Sequence, residues 1–158
     1  MSNADRLKVA FPVEQDGDHF VERMHAIQVG PNQFVLDNSP FYSYGISNGD
    51  TFRADLRDGD VVFSEVLRRG GHSTYRVKLP EGYSHAHFLR HWQPLEELGC
   101  SYEGSSANTK RIYAIDVPPG VDVFKVYGIL EKGEEQRLWE FDEGYYFDPE
   151  VEGKQGSK

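Results

Sequence analysis

Three histidines, His85, His87 and His91, form the pattern that first suggests metal chemistry. His87 and His91 stand four residues apart, so on a helix both imidazoles would lie on one face, as zinc sites require. A zinc site needs a third or fourth ligand, and Cys100 is the single cysteine of the sequence. No nearby carboxylate has the diagnostic spacing either. We therefore predict surface histidines flanking an amphipathic helix, with no bound metal and no cofactor.

The stretch from Arg68 to Arg76 combines basic side chains, glycines and hydroxyls, which together could hold an anion. Gly70 and Gly71 would free backbone N–H groups to face such a ligand. The P-loop spacing of glycines and lysine is absent. The alternative interpretation is a β-hairpin with basic rims, in which Gly70 and Gly71 make the turn. The candidate anion contacts are Arg68, Arg69, His72, Ser73 and Arg76.

Catalytic groups do not form a recognisable set. His72 and Ser73 are adjacent, and adjacent residues of a strand point to opposite faces, so His72 is badly placed to activate Ser73. The sequence contains no Gly-x-Ser-x-Gly elbow. Cys100 is a lone thiol that we expect to be inert packing. We predict no catalytic residue and a protein that is not an enzyme.

Acidic residues are concentrated near the C-terminus. Between Glu131 and Glu152 there are nine acidic and two basic residues, with five aromatic residues interleaved. Aromatic anchors supply contact area and carboxylates steer the encounter, so this composition suits capture of a basic protein. The alternative is a solvated edge and an acidic tail that keep the protein soluble. The predicted partner-binding residues are Glu131, Glu134, Glu135, Trp139, Glu140, Asp142, Glu143, Tyr145 and Tyr146.

The whole chain sets wider limits on function. Its 158 residues suffice for one domain or two small lobes. Hydrophobic residues make up only 38%, but aromatic residues reach 13%, which predicts a globular protein with an aromatic-rich core. A net charge of -9 argues against nucleic-acid and anionic-membrane partners. No apolar run is long enough for a signal peptide or a membrane span, so we expect a soluble, cytoplasmic protein.

The first half alternates between apolar and polar residues in short runs. Turn signals at Asp16-Gly17, Asn48-Gly49 and Asp58-Gly59 separate these runs and favour hairpins. A long helical period is absent before residue 80. We therefore predict short antiparallel strands, closed or partly closed like a small barrel.

The second half changes to a helical period. One apolar stripe predicts a helix over residues 84–98, with Ser84 as its N-cap, Gly99 as its stop and a kink or break at Pro94. A strand is predicted over residues 111–117 and a second helix over residues 121–132. A final strand is predicted over residues 137–141.

The order of these elements predicts an α+β fold. A β-rich, barrel-like N-terminal lobe over residues 5–79 would be followed by a ferredoxin-like α/β C-terminal lobe over residues 80–148. Residues 149–158 would form a flexible acidic and polar tail, since the last six of them lack apolar side chains.

Several motifs resemble the bacterial domain-of-unknown-function family 4265. They are Leu36-Asp37-Asn38-Ser39-Pro40-Phe41, Gly45-Ile46-Ser47-Asn48-Gly49-Asp50, Gly71-His72-Ser73-Thr74-Tyr75-Arg76-Val77, Val126-Tyr127-Gly128-Ile129-Leu130, Gly133-Glu134 and Trp139-Glu140-Phe141. The resemblance implies no established activity. Some small acidic families of this kind are immunity proteins against secreted toxins, and the resemblance permits that function.

We therefore expect a cytoplasmic immunity protein that neutralises a toxin by stoichiometric binding to a basic surface of that toxin. Small size, acidity, the aromatic and acidic C-terminal segment, and the lack of a catalytic set all favour this hypothesis. The alternative is a small enzyme or ligand-binding domain that uses the Arg68–Arg76 stretch as an anion site. A third hypothesis is a regulatory or structural interaction module.

Overall fold

Five strands of the first half close into a barrel. The computed structural model describes residues 6–104 and 111–151. The barrel strands are β1 (Arg6–Gln15), β2 (Asp18–Gly30), β3 (Gln33–Leu36), β4 (Thr51–Arg57) and β5 (Asp60–Arg68). Consecutive strands pair antiparallel, and a parallel pairing of β1 with β5 closes the barrel. The inward side chains form an aromatic and aliphatic core, as the alternation predicts.

Turn chemistry fixes two of the barrel connections. Asp16-Gly17 joins β1 to β2 and Asp58-Gly59 joins β4 to β5, and all four residues have positive φ. Such two-residue turns match the twist of paired strands. The Asn48-Gly49 turn, predicted to make a hairpin, instead lies in the long connection between β3 and β4. Its glycine N–H donates to the carbonyl of Leu36, at the end of β3.

The second half forms a four-stranded antiparallel sheet. Its strands are β6 (Ser73–Lys78), β7 (Ser101–Gly104), β8 (Ile112–Val117) and β9 (Glu140–Tyr145), in the order β7-β8-β6-β9. The lobe boundary predicted after residue 79 puts β6 in the N-terminal lobe, but β6 pairs with β8 and β9 of the C-terminal sheet. β7 was not predicted because four residues without alternation give no signal.

Two helices cover one face of this sheet. They are α1 (His85–Leu98) and α2 (Val123–Glu135). α1 ends at Gly99 with φ of 113°, as predicted, and its N-cap is Ser84, although that side chain makes no capping hydrogen bond. The predicted break at Pro94 does not occur, since one helix runs through it. Asp122 is the N-cap of α2, and its carboxylate accepts two backbone N–H groups of the first turn.

Aromatic packing holds the helices against the sheet. The ring of Phe88 stacks on that of Tyr113 with a centroid distance of 3.7 Å. Trp139, which precedes β9, is 2% exposed, and its Nε1 donates to the carbonyl oxygen of Leu130 at 3.0 Å. The prediction of a β-rich α+β fold with a barrel-like first half is confirmed. Within the described ranges, no helix is long and apolar enough to cross a membrane.

Candidate functional site

Arg69, a predicted anion contact, faces groups of its own chain. Its Nη1 donates to the carbonyl of Gly45 at 2.7 Å and to Oδ2 of Asp50 at 3.1 Å, and its guanidinium lies 3.8 Å from the ring centre of Tyr145. Asp50 is fully buried, and burial raises its pKa against the opposing effect of its donors. Arg69 thus joins the β3–β4 connection to the C-terminal segment.

Arg76 makes a second internal cluster. The residue is 5% exposed, its Nη1 donates to the carbonyl of Ser43 at 2.7 Å, and its Nε donates to Asp142 at 3.2 Å. Asp142 also accepts the hydroxyl of Tyr44, which raises the pKa of Tyr44. The positive charge of Arg76 is therefore already matched by a carboxylate of β9.

The remaining candidate anion contacts are also engaged. His72 Nδ1 lies 2.9 Å from Asp116 Oδ1, and this hydrogen bond raises the pKa of His72. Ser73 is buried, and its Oγ accepts the backbone N–H of Phe147 at 2.9 Å. Arg68 is exposed, and its Nη2 donates to a threonine hydroxyl of β4 at 3.3 Å. The side chains of residues 68–76 therefore bind other segments of the same chain and connect elements of the fold.

Gly70 and Gly71 form the crossing between the barrel and the C-terminal sheet. The hairpin interpretation is wrong, because β5 pairs with β4 and β1 whereas β6 pairs with β8 and β9. A Cβ at Gly70 would lie 2.3 Å from the carbonyl oxygen of Gly49, and the Gly70 N–H donates to Asp50 at 2.8 Å. Glycine is required here for the close approach of two backbones.

The three histidines of α1 take separate partners. His85 Nδ1 lies 2.8 Å from the hydroxyl of Tyr113, and His87 stacks on Tyr83 with a centroid distance of 4.0 Å. Burial is the main cause that lowers the pKa of His91, and repulsion from the nearby His87 adds to it. In the described part of the chain, no group of three or more His, Cys, Asp or Glu side chains is arranged to hold a metal ion.

The predicted partner-binding residues do not share one surface. Trp139 belongs to the core beneath α2, so its inclusion among exposed contacts is wrong. Glu140 and Asp142 line a cleft of about 350 Å³ that is also lined by Arg76 and Lys78. Strand alternation places these two acids on the face of β9 that looks away from the helices.

Other acids and tyrosines of the segment have internal roles. Glu143 accepts the hydroxyl of Tyr75 at 3.1 Å, and burial together with this carboxylate raises the pKa of Tyr75. Glu134 accepts the backbone N–H of Phe141 at 3.2 Å, at the outer edge of β9. Tyr145 lies under the guanidinium of Arg69.

An exposed aromatic patch on α2 was missed in the sequence. Phe124 is 76% exposed and its ring contacts Tyr146, while Tyr127 is 41% exposed and its ring contacts Phe141. α2 has more apolar residues than a single buried stripe can hold. This surplus in the sequence could have indicated that some of its aromatic side chains are exposed. We name as the acidic–aromatic surface the residues Phe124, Tyr127, Glu131, Glu134, Glu135, Phe141 and Tyr146.

Comparisons with known proteins show the fold and the family. The structure is similar to the one titled "Novel crystal structure of a hypothetical protein from Neisseria gonorrhoeae", with a TM-score of 0.72 and 15% sequence identity over 90% of this chain and 98% of that chain. No curated protein matches. The model of the domain of unknown function DUF4265 matches residues 22–141. The chain therefore belongs to the DUF4265 family, as its central motifs suggested.

Proposed function

We propose that this protein is a cytoplasmic immunity protein that neutralises a basic toxin domain by stoichiometric binding. The observation that carries the proposal is the 76% exposure of Phe124 on a helix flank that also bears Glu131 and Glu135. An exposed aromatic group continuous with a second ring is typical of an interaction site. The proposed role is binding and not catalysis.

The charges of the acidic–aromatic surface support a basic partner. Glu131 follows Tyr127 by four residues and Phe124 by seven, so the three side chains share one flank of α2. Glu131 and Glu135 are exposed, and neither forms an ion pair with another residue in the described ranges. Carboxylates that are not neutralised within the chain remain able to attract a positively charged surface.

The architecture of the C-terminal lobe supports the ferredoxin-like assignment, which we also propose. Its elements follow the order β6-α1-β7-β8-α2-β9, and its strands are arranged as β7-β8-β6-β9. This strand-helix-strand-strand-helix-strand order is the pattern of the ferredoxin-like fold. The separate buried clusters of the barrel and of this sheet favour a division into two lobes, with the boundary before β6.

A protection assay tests the proposed function. A gene for a basic toxin domain would first be sought beside this gene. Cells would then express that toxin with and without the protein, and the association rate of the purified pair would be measured at several ionic strengths. We expect survival only when the protein is present. Replacing Glu131 and Glu135 by lysine should slow association and weaken its salt dependence, because the attractive field is reversed.

A matched variant separates local steering from net charge. Glu65 and Glu81 are exposed and lie on β5 and in the turn before α1, outside the acidic–aromatic surface. Their replacement by lysine makes the same change in net charge. Equal association rates for the two double variants would place the binding surface elsewhere, and absence of protection by the parent protein would refute the immunity function.

Binding of a small anion is the second candidate. It is favoured by Lys78, an exposed base that lines the same cleft as Arg76. The internal ion pairs of Arg69, His72 and Arg76 reduce the positive charge offered to such a ligand. Calorimetric titration with inorganic phosphate tests this candidate, and heat that disappears in the Lys78→Ala variant would favour it.

A further inference from the structure

An open groove runs between α1 and α2 on the outer side of the helical layer. Its volume is about 460 Å³, and its apolar lining comes from Pro94 and Leu98 of α1 and from Ile129 of α2. Leu98 and Ile129 are half-buried, so each keeps part of its side chain available for contact. A groove of this size accepts a few apolar side chains of another molecule.

Gly128 keeps the floor of this groove low. It sits inside α2, where glycine is less favourable than alanine because its backbone loses more freedom on folding. A Cβ built at Gly128 meets no atom within 4 Å, whereas one at Gly133 would lie 2.5 Å from Trp139. Packing therefore explains Gly133, but neither packing nor a positive φ explains Gly128. A molecule bound in the groove would explain the glycine, because a larger side chain at position 128 would clash with that molecule.

Two lysines make the α2 side of the groove positive, whereas Glu97 of α1 lines its opposite side. Lys125 and Lys132 both line the groove, and a separation of seven residues places them on the same flank of α2. They are about 10.5 Å apart along the helix axis, at 1.5 Å per residue. Neither side chain forms an ion pair with a carboxylate of residues 6–104 or 111–151. A partner with carboxylates at matching spacing would complement these charges.

We propose that this groove binds an amphipathic helix of a partner protein, with apolar side chains against Leu98 and Ile129 and carboxylates facing Lys125 and Lys132. An extended segment gains affinity from backbone hydrogen bonds to a strand edge, and two helices offer no such edge. A helix satisfies its own backbone, and its residues seven apart repeat at the spacing of the two lysines. The partner is therefore helical and acidic along one flank.

The groove uses side chains that the acidic–aromatic surface does not include, although the two adjoin on α2. At 3.6 residues per turn, the groove residues Lys125, Gly128 and Lys132 occupy the flank of α2 that faces α1. Tyr127 occupies the other flank and contacts Phe141 of β9. The groove and the basic partner of the proposed immunity function do not compete for the same side chains, so the inference stands whether or not that function is correct.

A designed peptide pair tests the charge and shape of the groove. The first probe is a lactam-stapled, 14-residue helix with leucines on one face and glutamates seven residues apart on the flank beside them. The second has lysines in place of the glutamates. Binding of each labelled peptide to the full chain would be followed by fluorescence anisotropy. We expect the glutamate peptide to bind about tenfold more tightly or better, because opposite charges then meet at both lysines.

Two protein variants locate the binding. Gly128→Leu fills open space, so it should fold and melt no lower than the parent protein while weakening the glutamate peptide about tenfold. Lys125→Glu/Lys132→Glu should reverse the preference between the two peptides. Leu56→Ala, a 72% exposed apolar residue of β4 in the barrel, is the matched control and should leave both affinities unchanged.

Three outcomes would overturn the proposal. They are absence of binding by the glutamate peptide, equal binding of the two peptides, and unchanged binding after Gly128→Leu in a protein that melts normally. Sedimentation of the chain alone tests whether the protein associates with itself. Self-association that Gly128→Leu abolishes would identify a second copy as the occupant and would also overturn the proposal of an acidic partner helix.

Discussion

Asp50 links the barrel to the C-terminal sheet, and Asp50→Asn tests whether that link stabilises the fold. The side chain is fully buried, and its two oxygens accept three donors. Oδ1 accepts the backbone N–H of Gly70 at 2.8 Å, and Oδ2 accepts the backbone N–H of Ser47 at 2.9 Å and Arg69 Nη1 at 3.1 Å. Asparagine has nearly the same shape, so the substitution changes hydrogen bonding without leaving a cavity.

The expected loss follows from counting acceptors. The amide of asparagine has one oxygen, so its NH₂ group must face either the Gly70 N–H or the Ser47 N–H, and that donor loses its partner. Burial disfavours the charged form of Asp50 and so raises its pKa. A neutral asparagine avoids the cost of burying that charge, and this gain offsets much of the lost ion pair with Arg69. We therefore expect the free energy of unfolding to fall by about 1–3 kcal/mol, the cost of one unsatisfied buried donor. For a chain of this size the Tm should fall by about 2–12 °C.

Urea unfolding monitored by two signals measures this effect. Trp92 and Trp139 both lie in the core of the C-terminal sheet, so their fluorescence reports that half of the molecule, whereas circular dichroism reports both halves. Asp60→Asn is the matched control, because Asp60 pairs with Arg23 at an exposed position and its loss should change stability little. Equal stability of the two variants would refute the reasoning about the buried donors.

The other predictions concern pH, packing and thiol reactivity. The hydrogen bond that His72 donates to the Asp116 carboxylate raises the pKa of His72, so the stability that this bond contributes should be complete below about pH 6.5 and lost as pH rises through the raised pKa. Urea titrations of the parent and His72→Gln at pH 6 and 8.5 should show this loss in the parent protein alone. Gly133→Ala should lower stability by about 1–3 kcal/mol, because its Cβ would lie 2.5 Å from Trp139, and an unchanged thermal melt would contradict this. Burial raises the pKa of Cys100 to about 12, so Ellman's reagent should label it at pH 8 only after unfolding, and rapid labelling of the native protein would contradict the burial argument.

Local patterns determined most of the secondary structure. Alternation between apolar and polar residues predicts the barrel strands, since side chains of a strand alternate between core and solvent. The helical period and the Gly99 stop predict α1, and its end at Leu98 agrees. These features depend on neighbours in the sequence, so the sequence alone is sufficient to locate them.

The start of β9 required tertiary information. Alternation through Trp139 predicts a strand from residue 137, but Arg137 has φ of 63° and the Leu138 N–H bonds back to Gly133 at the end of α2. The strand begins only at Glu140. The indole of Trp139 occupies the space left by Gly133, and this contact fixes where the turn ends.

The sequence by itself determined the composition of the candidate sites, namely a basic glycine-containing stretch and an acidic, aromatic C-terminal segment. The tertiary structure decided which of these charges remain available. Arg69, His72 and Arg76 each meet a carboxylate from a distant part of the chain, so the basic stretch serves as a junction. The groove beside Gly128 likewise exists only because α1 and α2 pack on the same face of the sheet. The physical reason is that long-range pairing depends on strand order, which local periodicity does not encode.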